Sequence, residues 1–129
     1  MIVDASAILA VLFDEPEKAE FRDLLLMTSE LAMSPVNYLE ASVRADDKRH
    51  PAKGQELDAL LDGFGIQIAL ITEDQAKLAR EAYRQFGKGN HRAKLNLGDC
   101  FAYALSKARG EPLLFKGEDF RLTDVEAAV

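Results

Sequence analysis

Four short apolar runs, Met1–Asp4, Leu31–Ser34, Ile66–Ile71 and Leu113–Phe115, alternate along the chain with longer segments whose apolar residues recur every three to four positions. Strands that alternate with helices pair in parallel through right-handed crossovers, which puts helices on both faces of the sheet. The pattern predicts an α/β fold: a three-layer α/β/α sandwich around a central, mainly parallel sheet of four to five strands. A last extended piece near Asp124 and Val125 is the candidate fifth strand. At 129 residues the chain fits one domain, spanning 1–129, with no internal repeat or linker.

The helices carry their own punctuation. Ala5–Phe13 holds helix formers until Asp14 and Pro16 interrupt it, and Phe21, Leu24 and Leu25 mark a second helix from about Pro16 to Thr28. Ser34 followed by Pro35 is an N-cap with proline at the next position, opening a helix to about Asp46. Leu57, Leu60, Leu61 and Phe64 form an amphipathic helix closed by Gly65, and the β-branched run Ile66–Ile71 predicts a buried strand. Thr72 with Gln75 resembles a capping box for a long helix ending at Gly87. Asn96 caps the last helix, with Leu97, Phe101, Ala104, Leu105 and Ala108 on one face and Gly110 as its stop.

No stretch is long and apolar enough to read as a membrane span, Asp4 interrupts the N-terminal apolar segment, and Cys100 is the only cysteine. A cytoplasmic protein is expected, without an intramolecular disulfide or a cysteine-based zinc site. The net charge of −6 is at odds with a nucleic-acid partner only if the acids are spread evenly. Carboxylates gathered around divalent cations would leave a much less negative surface toward a polyanion.

Four acids stand where such a site would form. In open parallel sheets, ligands bind beyond the carboxyl ends of the strands. Asp4 closes the first strand and Asp119 follows the fourth by a few residues, although either position also suits a turn or cap. Glu40 falls within the apolar stripe of Val36, Leu39 and Val43, which turns its carboxylate inward. Burial of that carboxylate demands an arginine partner, a donor network or a functional site. Asp99 occupies the third position of the helix capped by Asn96, favourable for an acid in itself, at the lip of a buried segment. Converging carboxylates raise one another's pKa unless a hard cation is present, and Mg²⁺, or Mn²⁺, suits an all-oxygen donor set. Such a site activates water for attack on a phosphodiester without a side-chain nucleophile.

The segments Ile2-Val3-Asp4-Ala5-Ser6, Ser34-Pro35-Val36-Asn37-Tyr38-Leu39-Glu40, Leu97-Gly98-Asp99-Cys100 and Leu113-Leu114-Phe115-Lys116-Gly117-Glu118-Asp119-Phe120 together resemble the PIN-domain ribonucleases, and among them the VapC-type toxins of toxin–antitoxin pairs. The resemblance implies that Asp4, Glu40, Asp99 and Asp119 are the metal-binding, catalytic acids and that Ser6 supplies a hydroxyl beside the first. It implies a metal-dependent endoribonuclease that leaves a 3′-hydroxyl and a 5′-phosphate. It further implies a homodimer and a small antitoxin that inserts a basic residue into the acidic cleft. Members often carry Thr or Ser and another acid before the last aspartate, where this chain has Phe115 and Gly117. The number of metals stays open, with Glu118 or Asp124 as possible compensation.

Lys88, His91, Arg92 and Lys94 precede the helix of Asp99, and Lys116 lies across from it, so these five are candidate RNA contacts as well as ordinary loop residues. Cys100 reads as a core thiol. Two rival functions remain at this level: a Mg²⁺-dependent aspartyl phosphotransfer domain using Asp4 or Asp119, and a catalytically silent module that holds a basic peptide in the same groove.

Overall fold

The computed structural model describes residues 1–129. It contains β1 (Ile2–Val3), α1 (Ala5–Leu12), α2 (Lys18–Met27), β2 (Leu31–Met33), α3 (Pro35–Ala45), α4 (Lys53–Phe64), β3 (Ile66–Ile68), α5 (Glu73–Phe86), α6 (Leu97–Arg109) and β4 (Leu113–Leu114), then a single 3₁₀ turn at Asp119–Leu122. The sheet is wholly parallel, in the order β3-β2-β1-β4, with Ile2 opposite Ala32 and Leu113, and Val3 opposite Leu114. This is the expected α/β sandwich. The fifth strand reduces to one bridge between Leu113 and Ala127, two residues beyond the expected place.

Successive strand residues point to opposite faces, and the core divides accordingly. Val3, Met33 and Leu114 face a cluster with α1–α4, whereas Ile2, Ala32 and Leu113 face a second cluster with α5 and α6. Each fully buried Leu or Ile contributes roughly 2 kcal/mol. The helix ends follow the sequence: Ser34 Oγ accepts from the Val36 N–H, Thr72 Oγ1 from the Gln75 N–H, and Asn96 and Asp99 form a reciprocal capping box. Gly65 and Gly110 close α4 and α6 in left-handed conformation, with φ of 71° and 62°.

Three expectations need correction. Ile66–Ile71 is not a buried strand: β3 is the edge of the sheet, it ends at Ile68, and Ile68, Leu70 and Ile71 are exposed. On α6, Leu97 is 71% exposed, and the buried surface runs through Cys100, Ala102, Tyr103, Ala104 and Leu105 because the helix packs between α5 and the sheet. On α3 the buried residues are Asn37, Ala41 and Ala45, while Leu39 and Val43 are 62% and 65% exposed. The apolar stripe on which Glu40 was placed therefore lines an open cleft and not the core.

Candidate functional site

The strand order turns back at β1, where β2 and β3 lie on one side and β4 on the other, and the ligand crevice of such sheets opens at that switch point. A cleft of about 640 Å³ lies there. Its walls include Asp4, Ser6, Leu9, Glu15, Val36, Leu39, Glu40, Arg44, Leu97, Asp99 and Lys116. Three of the four expected acids thus share one pocket although each comes from a different element.

Asp4 leaves the end of β1 and caps α1. Its Oδ2 accepts from the Ser6 backbone N–H at 3.0 Å and from the Ser6 hydroxyl at 2.6 Å. Ser6 Oγ in turn accepts from the Lys116 backbone N–H at 2.9 Å, which ties the turn after β1 to the turn after β4. Asp4 is buried, and desolvation pushes its carboxyl up to about 7, with the charges of Asp99 and Glu40 adding to the rise. Asp99, half-buried, rises to about 6, mainly by burial and further through Glu40 and Asp119. No lysine, arginine or histidine forms an ion pair with Asp4, Glu40 or Asp99.

Glu40 projects from α3 toward the first turn of α6. A Cβ on Gly98 would stand 2.2 Å from both of its carboxylate oxygens, so only glycine leaves room for that approach. Sequence reasoning did not single out Gly98, nor Asn37, whose side chain is fully buried beneath the acids. The Asn37 amide donates to Glu40 Oε1 at 2.9 Å and to the Gly98 carbonyl at 3.0 Å, with Asp4 Oδ1 at 3.5 Å.

The remaining candidates are dispersed. Asp119 is exposed at the head of the 3₁₀ turn, outside the cleft wall yet close enough for its charge to raise the Asp99 pKa. Asp124 accepts from the Tyr103 hydroxyl at 2.5 Å and pairs with Lys107 at 3.1 Å, and Glu118 faces Arg121, so neither lines the cleft. Phe115 is buried against Phe120, and Gly117 sits at a φ of 101°, which explains an aromatic and a glycine at these positions. Lys88, His91, Arg92 and Lys94 lie outside the cleft wall; His91 packs edge-on against Phe86 and accepts from the Ala93 N–H. Lys116 lines the cleft but is paired with Glu15 and Glu17. Arg44, one turn beyond Glu40 on α3, lines it without an acidic partner, a role the helical spacing from Glu40 could have revealed.

No three His, Cys, Asp or Glu side chains stand close enough together to hold a metal ion between them. The donor set nonetheless fits a hard, largely hydrated cation such as Mg²⁺, which takes one or two carboxylates and keeps several waters. Carboxyls held at about 7 and 6 are poorly stabilised as anions by the protein alone, the condition that a divalent charge relieves.

Fold and site define an α/β protein with a carboxylate cleft at the switch point of a parallel sheet. The PIN domain matches residues 1–126. The chain is 46% identical over 127 residues to a protein named Ribonuclease VapC from Mycolicibacterium smegmatis, covering 98% of both chains. Among solved structures it resembles the Mycobacterium tuberculosis toxin VapC20, described as cleaving the sarcin–ricin loop, with a TM-score of 0.76, 13% identity and coverage of 96% and 95%. It also resembles a chain of a Klebsiella pneumoniae toxin–antitoxin complex, with a TM-score of 0.67, 22% identity and coverage of 92% and 88%. The chain belongs to the PIN domain family, and within it to the VapC ribonucleases.

Proposed function

We propose that this protein is a Mg²⁺- or Mn²⁺-dependent endoribonuclease toxin that hydrolyses RNA phosphodiester bonds and is neutralised by a small cognate antitoxin. The observation that carries this reading is the gathering of Asp4, Glu40 and Asp99, from three elements, around one cleft with no cationic partner. These three, with Asp119 at the margin, would act as the catalytic acids and hold a hydrated metal, one or two carboxylates directly and the others through its waters. A divalent cation bound there supplies Lewis-acid chemistry, acidifying water and offsetting charge on the leaving oxygen. Ser6 fixes Oδ2 of Asp4 through two hydrogen bonds, and the Asn96–Asp99 capping box fixes the orientation of Asp99.

Arg44 and, once freed from its glutamates, Lys116 would meet phosphates beside the scissile bond. Lys88, His91, Arg92 and Lys94 would contact RNA farther out. The exposed apolar rim formed by Leu39, Val43 and Leu97 suits a partner segment. With acids behind that rim, an inserted arginine or lysine from an antitoxin completes the match, in keeping with the toxin–antitoxin neighbour. A homodimer is the assembly this reading expects, and the apolar groove between α5 and α6, lined by Ala76, Ala79, Tyr83 and Phe101, supports it. No helix is long and apolar enough to cross a membrane, and the cytoplasm, where RNA is abundant, is the proposed location.

The test is cleavage of a defined RNA by the purified protein. EDTA should abolish it, Mg²⁺ or Mn²⁺ should restore it, and the products should carry 3′-hydroxyl and 5′-phosphate ends. Cleavage that persists in EDTA would overturn the metal-dependent reading; a labelled aspartate with intact RNA would indicate phosphotransfer instead.

A further inference from the structure

The Asn37 side chain hydrogen-bonds to all three of the segments bearing the cleft acids. Its amide reaches Glu40 on its own helix, the Gly98 carbonyl next to Asp99 on α6, and, at the longer distance of 3.5 Å, Asp4 at the end of β1. All three neighbours accept hydrogen bonds, which fixes the amide with its NH₂ group toward them. The orientation leaves Oδ1 buried without any partner.

An orphaned buried oxygen is unfavourable, and buried polar groups in native proteins are almost always satisfied. If residue 37 served only to pack α3 against α6, an apolar side chain of similar volume would do so without that penalty. The asparagine is accounted for by what its NH₂ group holds. It pins the Glu40 carboxylate in the space left by Gly98 and sets the distance between α3 and the first turn of α6. We propose that Asn37 is a positioning residue of the cleft, which orients Glu40 and fixes the spacing of the acids for metal binding without contacting metal or RNA itself. This rests on the nuclease reading above.

Asn37→Leu keeps the volume and removes both the donors and the orphaned oxygen. Isothermal titration with Mn²⁺ alone should show an affinity about 10- to 100-fold weaker than the parent's, the range typical of lost outer-sphere support. kcat for RNA should fall by a similar factor while KM changes little, and the metal-free Tm should be equal to or above the parent's. Asn37→Ser, which restores one donor, should recover part of the Mn²⁺ affinity; it also carries the test if the leucine variant fails to fold. A role in packing alone predicts a lower Tm with unchanged Mn²⁺ affinity, and that result, or a leucine variant matching the parent within twofold in both assays, overturns the proposal. A parent that neither binds Mn²⁺ nor cuts RNA overturns the nuclease reading first and this role with it.

Discussion

The two ends of the sheet both carry acids, and they treat them oppositely. At the amino end, the Met1 ammonium group pairs with Glu111 at 2.7 Å and donates to the Glu30 carbonyl at 2.9 Å. Charge there is compensated within the chain and holds the terminus to the sheet. At the carboxyl end, Asp4, Glu40 and Asp99 line one cleft and none of them pairs with a basic side chain, and two are pushed far above the ordinary carboxylate range. The contrast separates acids retained for the fold from acids that the fold tolerates.

The largest expected effect follows from removing an acid at the carboxyl end. Asp99→Asn should lower RNA cleavage by about 1000-fold, in line with the several kcal/mol that metal-assisted charge stabilisation provides, with the fold intact by circular dichroism. The same assay on Glu111→Gln should give parental activity, and equal losses at the two ends would break the comparison.

Stability should show the reverse. Because the Asp4 pKa in the folded protein, about 7, lies above the ordinary value of 3.8, the folded state binds that proton more tightly than the unfolded chain does. The resulting stabilisation is complete below about pH 4 and is lost as pH rises through 7. Metal-free protein should therefore melt lower at pH 8 than at pH 5. Asp4→Asn, which retains a good N-cap, should be more stable than the parent at pH 8 by about 2 kcal/mol. Urea titrations at the two pH values check this; a destabilised Asp4→Asn at pH 8 would mean that the carboxylate supports the fold.

Gly98→Ala sharpens the comparison without changing any charge. Its Cβ would meet the flexible end of Glu40 and displace the carboxylate, not the backbone. Cleavage should fall about 10-fold with Tm close to the parent's. Glu111→Gln, at the other end, should cost about 1 kcal/mol in urea denaturation. The smallest effect is expected at Arg44→Ala. In an inactive Asp99→Asn background, the slope of log affinity for single-stranded RNA against log salt should become shallower by about 0.7, the signature of one lost phosphate contact.

Most of the architecture was legible because its signals are local. The caps at Ser34, Thr72 and Asn96 and the stops at Gly65 and Gly110 act within one turn of where they stand. The β-branched content at Ile66 signals a strand, which β3 is, but does not distinguish the centre of a sheet from its edge, which depends on strand order. The stripe of Val36, Leu39 and Val43 misled for a related reason: a helix that walls an open cleft has the same apolar period as one that faces a core. The acids themselves could be named, since strand ends and helix starts carry them. What supports them could not, because Asn37 and Gly98 are separated by 61 residues and their contact exists only once α3 and α6 pack together.

Metal binding at this cleft depends most on Asp4 and Asp99 being strained as anions in the metal-free protein. A carbon-detected NMR titration of their carboxyl groups reads this directly. The expected midpoints are about 7 for Asp4 and about 6 for Asp99, both moving sharply downward when Mg²⁺ is added. Midpoints near 4 for both, unmoved by Mg²⁺, would contradict it.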